Sequence, residues 1–515
     1  MKNKLLIIIT AAICLCSCNK DYLNLVPETS LSSASFFKDQ TQFNQALTSA
    51  YTPLRTIVHT GIYMDEMRSD NTFFTVYLAN RGLETSTEYL AEFLDDANSS
   101  ATPNSPGNRW GNDYSGIAMT NTILDRVTTA SFLSQGAVDS ISGEALFLRA
   151  FYYYDLVTHY GGVPLQLKEV ASADESFQPK NTVDEVYTQI IADLTSAISK
   201  LPVASTFPQS GRVTKGAADV LIAYAYMSGP NKDYAKAEAA LKEVTNMNYT
   251  LLPNYADVFD PQNKNNQESI FEVQYMSDLT SGQQSDFAWE FIPKSVNPEV
   301  LTGFHGSSMD IWSGWNVPTD EMVSSYEKGD LRLPVSIGVA EGTISGVEDF
   351  TIDDAKSPVG FVPTPGKTYF YYVKKYLHPP YSVEFNTDDD WPVFRYSGAL
   401  LLLAECLVDE NKNAEALPYL NRVRERAGLP DLAAATTDNI ANERRHELAF
   451  ENHRWTDLIR IGQAIDKCTA KGVLLKAKFG WLLPQSFKVT QDKLIYPIPA
   501  REIQINTKLV QNPGY

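Results

Sequence analysis

Cysteine and histidine are scarce in this chain, and their scarcity removes whole classes of chemistry. Three of the five cysteines, Cys14, Cys16 and Cys18, crowd the first eighteen positions of the 515. Only Cys406 and Cys468 lie beyond them, too few for a disulfide framework and without a C-x-x-C pair for a structural zinc site. Buried free thiols are expected for both, with one disulfide as the alternative. Six scattered histidines mark no nucleophile with its base, and no G-x-G-x-x-G, phosphate-cradling loop or G-x-S-x-G elbow occurs. His446-Glu447-Leu448-Ala449-Phe450 begins like a zinc-protease helix, but Phe450 stands where the second imidazole must be. Asp388-Asp389-Asp390 lacks the glycine and distal glutamate of a calcium loop; a solvated acidic turn is expected, with weak calcium binding as the alternative. No cofactor and no metal are therefore expected.

Basic charge is also short. Lys and Arg number 43 against 62 Asp and Glu, a net charge of -19 that repels nucleic acid and anionic lipid. Missing motifs do not exclude a glycoside hydrolase, because only a fold can place two carboxylates about 5–10 Å apart. Long apolar runs are absent except at the start. There Lys2 and Lys4 precede Leu5-Leu6-Ile7-Ile8-Ile9 and a stretch reaching Leu15-Cys16-Ser17-Cys18. A basic start and a short apolar core make a secretory signal, too short for the roughly 20 residues of a membrane span. The leucine three residues before Cys18 resembles the lipobox of bacterial lipoproteins. It implies a signal peptide over 1–17 and a lipid on Cys18.

What the chain does have is helical periodicity. Apolar residues recur at helical spacing over 41–58, 109–128, 139–160, 182–200, 214–228, 233–246, 395–411, 413–427 and 439–464. In 182–200, Val186, Ile190, Ile191, Leu194 and Ile198 form one stripe, and Pro202 ends it. Lys215 to Tyr226 with Tyr234 to Val244, and Tyr396 to Val408 with Ala414 to Val423, read as antiparallel pairs like tetratricopeptide units. Their spacing is irregular, so ordinary helical hairpins read the same way. The fold class expected is mostly α, with a helical part over about 18–250, an irregular excursion over about 250–391 and a second helical part over about 392–515. The excursion is rich in Pro, Gly, Asn and Ser and carries two strand-like runs, 269–275 and 368–373. Loops held on a rigid scaffold are where binding surfaces are built.

Several segments, in order, resemble the SusD/RagB family of Bacteroidetes outer-membrane lipoproteins. They are Asp21-Tyr22-Leu23-Asn24-Leu25-Val26-Pro27, Ser35-Phe36-Phe37-Lys38, Ala145 to Tyr153, Tyr160-Gly161-Gly162-Val163-Pro164-Leu165 and Gly211 to Ala218. Phe394-Arg395-Tyr396, Glu443 to Leu458, Tyr496-Pro497-Ile498-Pro499 and Gln511 to Tyr515 complete the set. The resemblance implies four tetratricopeptide-like pairs, a loop-rich ligand face and a place as a lid on a SusC-like TonB-dependent transporter at the cell surface. It implies an oligosaccharide or polysaccharide ligand and no catalysis, with peptide or glycopeptide as the alternative ligand. Within Glu443 to Leu458, read as one helix, Glu447 and Glu451 are expected to pair with guanidinium groups as a buried brace.

Sugar recognition needs flat aromatic faces beside amides, carboxylates or guanidinium groups. Loop aromatics outside the family segments are therefore the candidates: Trp289 and Trp312, near Asn297 and Asp310, and Phe73, Phe74 and Tyr77, with Asp70, Asn71, Asn80 and Arg81. Trp315, in a family-like segment, is assigned to packing.

Overall fold

The computed structural model describes residues 36–75, 85–98, 105–170, 172–277, 280, 282–306, 313–346 and 349–515. Cys18 and the signal segment, together with Tyr77, Asn80, Arg81, Asp310 and Trp312, lie outside the described residues.

The helices expected from periodicity form a stack. In order they are α1 Gln40–Tyr51, α2 Pro53–Gly61, α3 Pro106–Val127, α4 Gln135–Tyr160, α5 Val183–Ile198, α6 Lys215–Ser228, α7 Tyr234–Thr245, α8 Tyr396–Asp409 and α9 Asn413–Arg426. Helix α3 packs on α4, α4 on α5, α5 on α6, α6 on α7, α7 on α8 and α8 on α9, so each apolar stripe is buried by its neighbours. Small residues set the closest approaches. A Cβ at Gly116 of α3 would stand 2.2 Å from the Tyr152 ring of α4. Buried ion pairs tie the layers: Arg109 grips Asp155 and Asp65, and Arg149 grips Asp193. Helix α5 starts on a capping box between Thr182 and Glu185.

Two long helices of the sequence reading are broken. The run 41–58 divides at Thr52 because Pro53, without an N–H, opens a new helix. The run 439–464 divides into α10 Thr437–Glu447 and α11 Arg454–Arg460, with Phe450 and Asn452 at positive φ between them. The cause is a buried carboxylate. Glu66 accepts the N–H groups of Phe450 at 3.1 Å and Asn452 at 3.2 Å, which replaces the bonds a continuing helix would have made. A further helix, α12, spans Ala464–Lys478, and there is no helix among the described residues long and apolar enough to cross a membrane.

The excursion is more ordered than its composition suggests. Both strand-like runs form strands, and a hairpin not expected from the sequence pairs with the second of them. Strands Ile337–Ser345, Asp349–Lys356 and Thr368–Val373 make an antiparallel sheet with the first in the middle. Its inner face, with Ala340, Phe350, Ile352 and Tyr372, packs on Trp289, Ile292 and Leu301 as a second small core apart from the helical one. Ser269–Val273 pairs with Trp391–Arg395 and anchors the excursion to the start of α8.

Candidate functional site

The segment expected to be a brace is one, although not as a single helix. Arg395 donates to Glu268 at 2.8 Å, Glu447 at 3.0 Å and Glu451 at 2.8 Å, and Lys375 donates to Glu451 at 2.8 Å. The guanidinium groups of Arg395, Arg332 and Arg426 outweigh burial and hold the Glu447 carboxyl well below the usual range. Three further cations from this part of the chain fix residues 67–71. Arg454 forks onto Asp70 at 2.7 and 2.9 Å, Arg445 donates to Asn71 at 2.8 Å, and Lys471 donates to the carbonyls of Met67 and Ser69 at 2.7 Å. Burial pushes the Lys471 amine down to about 8. His446 sits against Tyr326, and burial with four nearby arginines keeps it well below its ordinary pKa.

What the brace holds is a two-stranded ribbon. Thr72–Phe73 pairs antiparallel with Val317–Pro318, extended by Thr319 N–H to Asn71 O at 3.0 Å and Thr75 N–H to Gly314 O at 2.7 Å. Thr75 and Ser313, which flank 76–84 and 307–312, thus lie at one edge. Around this ribbon the side-chain atoms Thr72 Oγ1, Thr75 Oγ1, Ser313 Oγ, Asn316 Oδ1 and Asn316 Nδ2 are buried and have no hydrogen-bond partner among the described residues. Such atoms normally find a protein or ordered-solvent partner, and five of them gather around this ribbon. Asn316 adopts φ 53°, a backbone state asparagine tolerates better than most residues. Rings line the same place. Phe73 stacks on Phe74 at 4.0 Å and on Trp481 at 6.5 Å, Phe74 meets Trp315 at 6.0 Å, and Phe479 lies 5.9 Å from Trp481. Phe479 and Trp481 are half-buried, whereas Phe73, Phe74 and Trp315 are packed beneath them.

Several candidates from the sequence fall elsewhere. Trp289 is a core residue, 0% exposed and wedged among Phe304, Tyr381 and Phe385; the excursion needs its ring to build its own core. Phe73 and Phe74 are at the ribbon but buried, forming its floor and presenting no open face. Asp70 and Asn71 are consumed by the brace, and Asn297 by the backbone of Ile352. Trp315 is packed, as expected. The acidic turn is not solvated: Asp389 is buried against His378 at 2.7 Å, and burial raises Asp390 to about 6 beside Lys264. Cys406 and Cys468 are free and buried, their thiols pushed up to about 12 by burial. Phe479 and Trp481 were missed by the sequence reading, although Gly480 between them, just past the end of α12, marks a loop.

The geometry can be set beside known proteins. The family model described as "SusD family" matches residues 267–515, and the one described as "Starch-binding associating with outer membrane" matches residues 21–227. The chain belongs to the SusD family. It is 26% identical to the SusD-like protein P25 of Formosa agariphila, over 100% of both chains. It is 25% identical to the starch-binding protein SusD of Bacteroides thetaiotaomicron, over 78% of this chain and 76% of that one. Among solved structures, a laminarin-binding SusD-like protein matches with TM-score 0.74 and 25% identity, covering 93% of this chain and 100% of that one. This SusD family fold is mostly α, as expected.

Proposed function

We propose that this chain is a lipoprotein, anchored through Cys18 at the cell-surface face of the outer membrane, that captures oligosaccharide or polysaccharide at the ribbon without catalysis. It hands the glycan to a SusC-like TonB-dependent transporter on which it sits as a lid. The observation that carries this reading is the group of buried hydroxyl and amide atoms of Thr72, Thr75, Ser313 and Asn316, without partners among the described residues, beside the Phe479 and Trp481 rings. Hydroxyl-rich ligands supply the missing bonds, and half-buried rings supply the apolar face a sugar ring needs. The likeness to a laminarin-binding protein and to a starch-binding protein supports the ligand class. A lipid tether would keep the lid near the barrel and raise its effective concentration there.

The test is calorimetry of the purified soluble chain against a polysaccharide panel that includes laminarin and starch, with a peptide library alongside. Binding of at least one glycan is expected. No glycan binding together with clear peptide binding would overturn the ligand class, and release of reducing ends would overturn the absence of catalysis. Cys18→Ala should free a folded, ligand-competent protein from the membrane; retention there would count against the anchor.

A further inference from the structure

On the side of α2 that faces the excursion, three metal-ligating side chains meet without having been marked by any motif. His59 comes from α2, while Asp286 and Glu290 come from the short helix Phe287–Phe291 and the residue before it. One ligand atom from each lies within 4.8 Å of the other two. His59 Nε2 and Glu290 Oε1 are 2.7 Å apart, and the second oxygen of Glu290 accepts the Tyr63 hydroxyl at 3.1 Å. Asp286 occupies the N-cap position of its helix, yet its carboxylate caps nothing. The N–H groups of Trp289 and Glu290 go to the Asp286 carbonyl at 2.9 and 3.3 Å, which leaves the side chain for the cluster. Arg55, the nearest guanidinium on α2, is turned to the Gln274 carbonyl, Gln283 and the Tyr275 ring. Glu290 is buried whereas His59 and Asp286 are half-buried, so the cluster opens to one side.

From this geometry we infer that His59, Asp286 and Glu290 form a binding site for a divalent transition-metal ion of the zinc class. An imidazole among the donors disfavours calcium and magnesium, which take oxygen ligands, and suits zinc. Donors around tetrahedral zinc at about 2.0 Å lie about 3.3 Å from one another, so rotamer adjustments of up to about 1.5 Å would close the set. Three protein ligands leave the fourth position to water on the open side. Tyr63 fixes one Glu290 oxygen as an outer-shell partner. A metal here adds a further tie between the excursion and the helical stack, besides the strand pair 269–273 and 391–395, the ribbon and the Lys375–Glu451 ion pair. The site stands independently of the glycan reading.

The experiment is titration of the untagged full chain, freed of metal by a chelator, with Zn2+, Co2+ and Ca2+. One equivalent of Zn2+ should bind, Co2+ should give the visible absorption of a nitrogen-and-oxygen site, and Ca2+ should not compete. Tyr63→Phe should weaken Zn2+ binding about tenfold or more, and His59→Gln should abolish the stoichiometric event. Should His59→Gln fail to fold, Asp286→Asn, at a half-exposed position, carries the test and should also lose the Zn2+ equivalent. Absence of stoichiometric Zn2+ binding in the parent chain, or an unchanged equivalent in Asp286→Asn, would overturn the site.

Discussion

The brace and the ribbon are neighbours, both buried and both polar, and they differ in one respect. In the brace, charges meet opposite charges: the guanidinium of Arg395 reaches three carboxylates, and Asp70 accepts two bonds from Arg454. In the ribbon, hydroxyls and an amide are just as deeply placed but have no partner among the described residues. A largely satisfied network makes a rigid support, and unpartnered buried groups beside it cost free energy that a hydrogen-bonding partner returns. The contrast separates residues that hold the fold from those we propose to meet a ligand, although both look alike in the sequence as scattered polar positions.

Breaking the brace should have the largest effect. Arg395→Met leaves Glu268, Glu447 and Glu451 short of their shared cation, and a loss of about 3–5 kcal/mol in urea-unfolding stability is expected. Trp289→Ala empties the second core and should cost a comparable about 3–5 kcal/mol, while the folded fraction keeps its glycan affinity unchanged in calorimetry. Retained stability with lost binding would return Trp289 to the ligand site.

Titration sharpens the comparison next, and the two directions have opposite signs. Buried Asp70 and Asp457 are held below the usual carboxylate range; burial opposes this, and their arginine partners outweigh it. Below about pH 4 the unfolded chain binds more protons, so the stability they contribute is present above that pH and is lost progressively as pH falls from there through their lowered folded values. Glu272, in the strand that anchors the excursion, is raised to about 7 by burial, with Asp390 adding to the rise and Lys264 opposing it. Here the folded chain binds more protons between about pH 5 and 7, so stability falls as pH rises, by on the order of 2–3 kcal/mol. Glu272→Gln, which keeps an acceptor for Asn265 N–H, should flatten the urea midpoint between pH 5 and 8 relative to the parent.

The stack was legible because α3 to α9 follow a 3.6-residue period with clean stops, and so were strands 269–273 and 368–373 through their aromatic and β-branched runs. The break at 448–453 was not, because its cause is Glu66, which lies 384 residues before Phe450. The hairpin 337–356 was missed because Asp353, Asp354 and several glycines lower its strand signal. The site was legible only in part. Aromatics in a loop-rich stretch are candidates for sugar contact by residue type, but the excursion buries Trp289 in a core of its own. The ribbon is two residues per strand, too short for any pattern, and it joins positions near 72 to positions near 318.

Asn316→Gly tests the central contrast most directly, because glycine keeps the positive φ and removes the side chain that carries the unpartnered amide. Paired measurement of urea-unfolding stability and glycan affinity should show stability unchanged within about 1 kcal/mol and affinity reduced about tenfold or more, the equivalent of about 1.4 kcal/mol. Unchanged affinity, or a stability loss matching that of a brace residue, would contradict the assignment of the ribbon as the ligand site.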